Sequence, residues 1–337
     1  MIPEAIKKLS QGEDLRQQEM EAVMEEIMTA QAQTPQIVSF LTALSKKGET
    51  AEELTAAVLV MRKHAIRVHT NKEVVLDTCG TGGDKTGTFN VSTIVAFVAS
   101  GCGITVAKHG NRCVSSSCGS ADILEALGIN INMSKEKIEQ CLDEVGIAFL
   151  FAQNFHPAMK HAMPARKQIG ARTMFNILGP LSNPAGATHQ LVGVYDIRWT
   201  QILARVFANL GCAHALIVYG KDGLDEITTT ASTIISEECR GKLNNYEVAP
   251  EDFGFKRAKL SELAGGKAEE NARILLDVLN GKPTPQRDIV LLNSAAAIYA
   301  ADMAKSIKEG LELAKKSIDS KKALKKLELL REYSLKD

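Results

Sequence analysis

The chain reads as an α/β protein: a small α-helical N-terminal part followed by a larger α/β part built on a mainly parallel central sheet. Three observations carry that expectation. Residues 1–68 hold apolar stripes at helical spacing throughout. From residue 74 onward, short apolar runs alternate with helical stretches, the pattern of βαβ units with helices on both faces of a sheet. Several of those runs end in glycine-bearing polar loops, where an open parallel sheet places its ligands.

In the N-terminal part, Leu15, Met20, Val23, Met24 and Ile27 form one stripe. Thr34-Pro35 reads as an N-cap followed by Pro at the first helical position, with Ile37, Phe40, Leu41 and Leu44 on one face. Thr50 through Glu53 is a capping box, and Leu54, Ala57, Val58 and Met61 continue its buried side. Beyond it, strands are expected at 74–77, 104–108, 147–151, 190–195 and 214–219, and helices near 93–101, 120–127, 134–145 and 198–210. The Thr-, Ile-, Tyr- and Val-rich section 228–255 reads as antiparallel edge strands. After Lys267 the chain returns to helix and ends in a Lys-rich amphipathic segment, 314–333, whose lysines form a solvated face.

The most informative stretch follows the first strand: Asp77-Thr78-Cys79-Gly80-Thr81-Gly82-Gly83-Asp84-Lys85-Thr86-Gly87-Thr88-Phe89-Asn90-Val91-Ser92-Thr93. Strand, glycine-rich loop and helix N-terminus together present backbone amides and a partial positive charge to an anion. A dinucleotide fingerprint would need Gly at Lys85, and a Walker A loop would need Gly at Asp84. A phosphate cradle of another kind is therefore expected. The next strand leads into Lys108-His109-Gly110-Asn111-Arg112-Cys113-Val114-Ser115-Ser116-Ser117-Cys118-Gly119-Ser120, with two basic residues and short hydroxyl donors that face the same crevice.

A third loop, Gly220-Lys221-Asp222-Gly223-Leu224-Asp225-Glu226, carries adjacent carboxylates after a strand. Such a pair suits Mg2+, although Asp-Gly turn chemistry alone would also account for it. The fourth segment, Met163 to Pro184, reads as a helix bearing Arg166 and Arg172 and stopped by Gly179-Pro180. An arginine there can hold a small carboxylate bidentately.

Composition narrows the field. With 337 residues, 45% hydrophobic and 24% charged, the chain has ample core for an ordinary globular enzyme. Lys plus Arg and Asp plus Glu number 40 each, so the balanced charge argues against a nucleic-acid binder. No apolar run approaches the roughly 18 residues of a membrane span, and no signal peptide is read at the start. Seven cysteines without a CxxC pair speak against zinc and a disulfide framework and for a reducing cytoplasm. Neither a G-x-S-x-G nor a Cys/His signature is present, so covalent catalysis is not expected.

Together the GTGGD loop running into NVST, then KHGNR…SS…GSAD, then NILGPLSNP and DGLDE resemble the anthranilate phosphoribosyltransferase family, in order and spacing and over essentially the whole chain. The resemblance implies a helical domain at 1–70, joined by helices from about 160–185, and an α/β domain at 72–335. The architecture would be like that of the pyrimidine nucleoside phosphorylases, and the assembly a homodimer. It implies that Gly80, Gly83, Asp84 and Thr88 contact phosphoribosyl pyrophosphate and that Asn90, Val91, Ser92 and Thr93 hold its pyrophosphate end. Lys108, His109, Gly110, Asn111, Arg112, Cys113, Val114, Ser115 and Ser116, with Ser120, would complete that site. Asp225 and Glu226, with Ser92, would ligate Mg2+. Gly80, Asn111 and Arg166 would contact anthranilate, Arg166 facing its carboxylate. Cys113 stands where the family commonly carries Ser or Ala. On this reading Lys108 and Arg166 act electrostatically.

Two rival readings remain at this level. A pyrimidine nucleoside phosphorylase would use inorganic phosphate, which the DGLDE carboxylates and Arg166 disfavour. A non-catalytic nucleic-acid-binding relative should carry a basic surface, which the zero net charge disfavours.

Overall fold

The computed structural model describes residues 1–83, 86–112 and 118–336. Four helices open the chain: α1 (Ile2–Ser10), α2 (Gln17–Met28), α3 (Thr34–Lys47) and α4 (Ala51–Lys63). Thr50 caps α4 as expected. Its Oγ1 accepts the Glu53 amide at 3.2 Å, and the Glu53 carboxylate accepts the Thr50 amide at 2.9 Å. Helix α3 starts one residue earlier than the Thr-Pro signal predicts. Gln33 is its N-cap, and the Gln36 side chain accepts the Gln33 amide.

The sheet follows: β1 (Val75–Gly80), α5 (Val91–Gly101), β2 (Thr105–Gly110), α6 (Ser120–Ala126), α7 (Lys135–Glu144) and β3 (Ile147–Phe151). Next come the short α8 (Ala152–Phe155), α9 (Met163–Ile169) and α10 (Phe175–Leu181), then β4 (His189–Gly193), α11 (Arg198–Asn209) and β5 (His214–Gly220). Strands β6 (Thr233–Cys239) and β7 (Lys242–Val248) precede α12 (Ala268–Leu279), α13 (Pro285–Ala300), α14 (Ile307–Asp319) and α15 (Lys322–Leu335). Strand order is β3-β2-β1-β4-β5-β6-β7. The first five are parallel, and the section expected to give edge strands does so, β6 and β7 pairing antiparallel. Arg240 and Gly241 both take positive φ in the two-residue β6–β7 turn, as a type I′ hairpin requires.

Strand alternation divides the core. Leu191, Leu216 and Val218 join one apolar cluster around α5, in which ten of that helix's eleven residues are buried. Val192, Val194, Ala215 and Ile217 point to the other face and pack with α1–α4, α10 and α11 in a second cluster. The N-terminal helices thus share a core with one side of the sheet.

Two expectations are corrected. The segment carrying Arg166 and Arg172 is two helices rather than one. Gly170 ends α9 at φ 61°, so Arg172 lies in the connection, and Pro180 falls inside α10 instead of stopping it. The Lys-rich C-terminal stretch is likewise split, because Lys321 adopts φ 62° between α14 and α15.

Candidate active site

The order of strand addition reverses at β1, which pairs in parallel with β2 on one side and β4 on the other. In an open parallel sheet, the carboxyl ends at such a switch point form a crevice. Gly80 and Gly193 are register partners at that point. The acidic loop lies directly above both, and its backbone leaves no room for a side chain at Gly193. A Cβ on Gly80 would fall 2.4 Å from Asp225 Oδ2, and one on Gly193 would fall 1.5 Å from the Asp225 carbonyl oxygen. Asp225 Oδ2 also accepts the Gly82 amide at 2.9 Å. The glycine loop and the acidic loop are therefore in direct contact, although 143 residues separate them in sequence.

The glycine loop is braced from its far side. Thr88 bridges Ala264, the Phe89 amide donates to Leu263 O at 3.1 Å, and the Gly265 amide donates to Gly87 O at 2.9 Å. Asn90 caps α5, its Oδ1 accepting the Thr93 amide at 3.1 Å, while its own amide is held by Asn271 Oδ1. Gly82 and Gly83 take positive φ. Arg172 donates to Gly83 O and lies 3.7 Å over the Tyr195 ring.

Lys108 sits beneath this loop, almost wholly buried, donating to Thr78 O at 2.6 Å and to Ser92 Oγ at 3.3 Å. Burial pulls its ammonium below the usual lysine range, partly offset by the Asp77 charge. Asp77 is also buried, accepting Asn183 Nδ2 at 2.7 Å and the His109 amide at 3.1 Å, and burial raises its carboxyl to about 6. The other hydrogen of that Asn183 amide goes to Ala107 O at 2.8 Å, so Asn183 ties β1 to β2 under the crevice.

The remaining expected residues divide by environment. Val91 and Thr93 are buried, and Val91 offers only its backbone to the crevice. Ser92 Oγ lies between Lys108 Nζ and Asn90 Oδ1. His109 is buried, with its Nε2 unpartnered among the described residues, and pairs with His156 at 5.1 Å between ring centroids. Burial lowers the two imidazoles to about 3 and about 4, so both are neutral at pH 7. Gly110 is required by Ser120, whose Oγ would lie 2.2 Å from an added Cβ. Asn111 and Arg112 are exposed, and the Arg112 guanidinium is engaged by Asp122 at 3.0 Å and Glu125 at 2.7 Å on or beside α6. Arg166 is half-buried on α9, 5.8 Å from the Phe175 ring. Burial lowers its guanidinium, and no carboxylate among the described residues pairs with it. Asp84, Cys113, Val114, Ser115 and Ser116 lie outside the described residues.

Sequence reasoning named Arg172 only as one of two arginines able to hold a carboxylate, and quoted Asp77 and Asn183 within motifs without giving either a role of its own. It gave no role to Gly193, His156, Asn271 or Asn293, of which Gly193 carried a signal as a glycine at the carboxyl end of an apolar strand.

The helical bundle lies beside a mainly parallel sheet, and the glycine loop and the acidic loop meet at its switch point. Residues 3–65 match the glycosyl transferase family helical bundle domain, and residues 72–324 match the family's a/b domain. The chain is 52% identical to the anthranilate phosphoribosyltransferase of Symbiobacterium thermophilum over 98% of its own length and 96% of that protein's. It is 48% identical to that of Desulfatibacillum aliphaticivorans over 99% of each. Its fold matches the Thermus thermophilus anthranilate phosphoribosyltransferase with a TM-score of 0.93 at 40% identity, over 98% of this chain and 99% of that one. The Saccharomyces cerevisiae enzyme in complex with PRPP and Mg matches with a TM-score of 0.90 at 30% identity, over 99% and 97%. The chain belongs to the anthranilate phosphoribosyltransferase family.

Proposed function

We propose that this chain transfers the phosphoribosyl group of 5-phosphoribosyl 1-pyrophosphate to the amine of anthranilate, giving N-(5-phosphoribosyl)anthranilate and pyrophosphate, as a step of tryptophan biosynthesis. The observation that carries the reading is the meeting of Asp225 with Gly80, Gly82 and Gly193 at the switch point. It brings an acidic pair and a phosphate cradle to one place.

The donor's phosphates are read onto Gly80, Gly83, Asp84 and Thr88 and the capped N-terminus of α5 at Asn90, Val91, Ser92 and Thr93. Lys108, His109, Gly110, Asn111, Arg112, Cys113, Val114, Ser115, Ser116 and Ser120 complete that side. As the bond from the anomeric carbon to pyrophosphate breaks, negative charge grows on the departing oxygens. The α5 amides and the buried Lys108 ammonium are placed to stabilise that charge in a low-dielectric setting. Asp225, Glu226 and Ser92 offer only oxygen donors, which fits Mg2+. They would hold the ion, which when bound supplies further charge stabilisation on the leaving group. The arrangement of the carboxylates fits as well, since Asp225 already touches the phosphate loop through the Gly82 amide.

Arg166, half-buried and without a carboxylate partner among the described residues, suits the carboxylate of anthranilate. The acceptor amine is neutral at pH 7, so its lone pair needs placement more than a base. After the new bond forms to the anomeric carbon, a proton leaves the nitrogen for the departing pyrophosphate or solvent. His109 and His156, held near 3 and 4, are too weakly basic for general-base work at neutral pH, which agrees with catalysis by orientation and electrostatics.

We read the molecule as a homodimer with a helical domain at 1–70 and an α/β domain at 72–335. No helix among the described residues is long and apolar enough to cross a membrane. A cytoplasmic setting fits the buried free thiols Cys141 and Cys212, each donating to a backbone carbonyl. The test is stoichiometric: purified protein with both substrates and Mg2+ should release one pyrophosphate per anthranilate consumed. Phosphorolysis of uridine without pyrophosphate release would replace this reading with a nucleoside phosphorylase.

A further inference from the structure

We propose that Asn293 is a positioning residue for the acidic loop, fixing the backbone at Ile227 and so setting where Asp225 and Glu226 stand relative to the α5 N-terminus. The inference rests on the reading of the site given above. Asn293 lies on α13 and is fully buried. Its Oδ1 accepts the Ile227 amide at 2.9 Å, and its Nδ2 donates to the Ile227 carbonyl at 2.8 Å. The second Nδ2 hydrogen is held by Ile289 O, one turn back on the same helix, at 2.9 Å. Both donors and the acceptor are thus engaged, and the side chain can occupy only one orientation. One residue of the loop is paired on both its polar groups, as in a strand ladder, at a point where no strand is present.

Ile227 directly follows Glu226, so a shift there reaches Glu226 across a single Cα–Cα step of about 3.8 Å and Asp225 across two. The rest of the loop is held differently. Within the 220–230 segment, Gly220 N donates to Leu224 O, and Asp222 accepts the Leu224 amide and the Thr228 hydroxyl. Toward the sheet, Lys221 N donates to Ser232 O, Thr228 N to Thr233 Oγ1 and the Gly82 amide to Asp225 Oδ2. Against Gly193 the loop rests by contact. Asn293 supplies its anchor to the helical layer. That layer carries the reference frame, because α13 packs against α5, whose N-terminus is the anion site. One buried helix therefore fixes both halves of the pocket: α5 through packing and the acidic loop through this amide. A mispositioned ligand pair weakens metal binding without touching the acceptor.

The test compares wild type, Asn293→Ala, Asn293→Ser and Leu291→Ala. Leu291 is a buried residue of the same helix, and its truncation removes packing but no hydrogen bond to the loop. Three readouts are taken: Mg2+ titration of activity at saturating substrates, calorimetric Mn2+ binding with phosphoribosyl pyrophosphate present, and thermal melting without metal. Both Asn293 variants should raise the Mg2+ half-saturation and weaken Mn2+ binding by about 10- to 100-fold, with the anthranilate KM within about twofold of wild type. Leu291→Ala should melt earlier while keeping the wild-type metal response. Wild-type metal dependence in the Asn293 variants, or an equal shift in Leu291→Ala, would overturn the proposal. So would failure of both Asn293 variants to fold where Leu291→Ala folds, since the amide would then serve the fold alone. Wild-type protein that neither turns over nor binds Mn2+ would instead sink the reading of the site, before any substitution is made.

Discussion

Asp225 accepts the Gly82 amide hydrogen at 2.9 Å, and its own carbonyl oxygen lies 1.5 Å from where a Cβ on Gly193 would be. The acidic loop is thus pressed onto the glycine loop and onto the end of β4 with no room between them. Gly193→Ala must push backbone away, whereas Gly80→Ala meets only the Asp225 carboxylate, which can turn. Displacing a binding group by about 1 Å costs on the order of 100-fold in rate. Gly193→Ala should therefore lower kcat/KM for phosphoribosyl pyrophosphate by about 100-fold and Gly80→Ala by about tenfold. Steady-state kinetics at saturating Mg2+ check the ranking. Equal losses would remove the backbone contact as the cause.

Arg166 is the half-buried cation nearest to an acceptor role, and it lacks an internal carboxylate partner among the described residues. Arg166→Ala should raise the anthranilate KM by about tenfold or more, the worth of a charge-assisted pair. The KM for phosphoribosyl pyrophosphate should stay within about twofold. Arg166→Lys should restore little, because an ammonium cannot reproduce bidentate geometry. Equal effects on both substrates would take Arg166 out of the acceptor site.

Arg172 acts from the α9–α10 connection, stacked on Tyr195 and donating to Gly83 O. Its removal loses a cation–π contact and a hydrogen bond to the glycine loop, together about 1–2 kcal/mol. Arg172→Ala should raise the KM for phosphoribosyl pyrophosphate by roughly 5- to 30-fold while leaving the anthranilate KM nearly unchanged. An effect confined to anthranilate would place Arg172 beside the acceptor instead.

The far end of the sheet carries a separate ionic cluster that sets a pH dependence. His214 bonds Asp302 at 2.8 Å and Glu237 at 3.0 Å, Tyr299 donates to Glu237, and Arg240 and His189 face Asp302. Burial lowers the His214 imidazole, but the two carboxylates outweigh it and the net direction is upward from 6.5. Burial likewise raises Glu237 and Asp302, and their hydrogen bonds outweigh it in turn, leaving both lowered. A raised histidine stabilises fully below its unfolded value and loses that contribution as pH rises through the folded one. Lowered carboxylates contribute above their unfolded values, 4.5 and 3.8, and lose it as pH falls. The Tm difference between wild type and His214→Gln should therefore be largest between about pH 5 and 6.5 and shrink as pH rises further. His189, lowered chiefly by burial, is common to both proteins. A pH-independent difference would show that His214 stays neutral.

Where local chemistry decided the structure, the sequence was legible. Ile147–Phe151 forms β3 with the expected bounds, because a run of buried apolar residues flanked by Gly146 admits little else. The Thr50 capping box was also readable, since its bonds close within three residues, whereas α5 begins at Val91, capped by Asn90, two residues before the expected 93. The break at Lys321 was not, because a lysine in the left-handed region carries no signal. Nor was the split at Gly170, where a helical apolar pattern runs through the turn. In the site, the glycine loop and the DGLDE carboxylates announce themselves by composition. Asn183, Asn271 and Asn293 do not, because each is a single buried amide whose partners across the fold lie 66 to 181 residues away.

The central claim is a Mg2+-assisted transfer from phosphoribosyl pyrophosphate to anthranilate at the crevice above Gly80 and Gly193. The most direct measurement follows anthranilate fluorescence on mixing the purified protein with both substrates, with and without Mg2+, beside an Asp225→Asn/Glu226→Gln variant. The account predicts a magnesium-dependent loss of fluorescence in wild type that the double variant abolishes. Unchanged fluorescence in well-folded wild-type protein would contradict it.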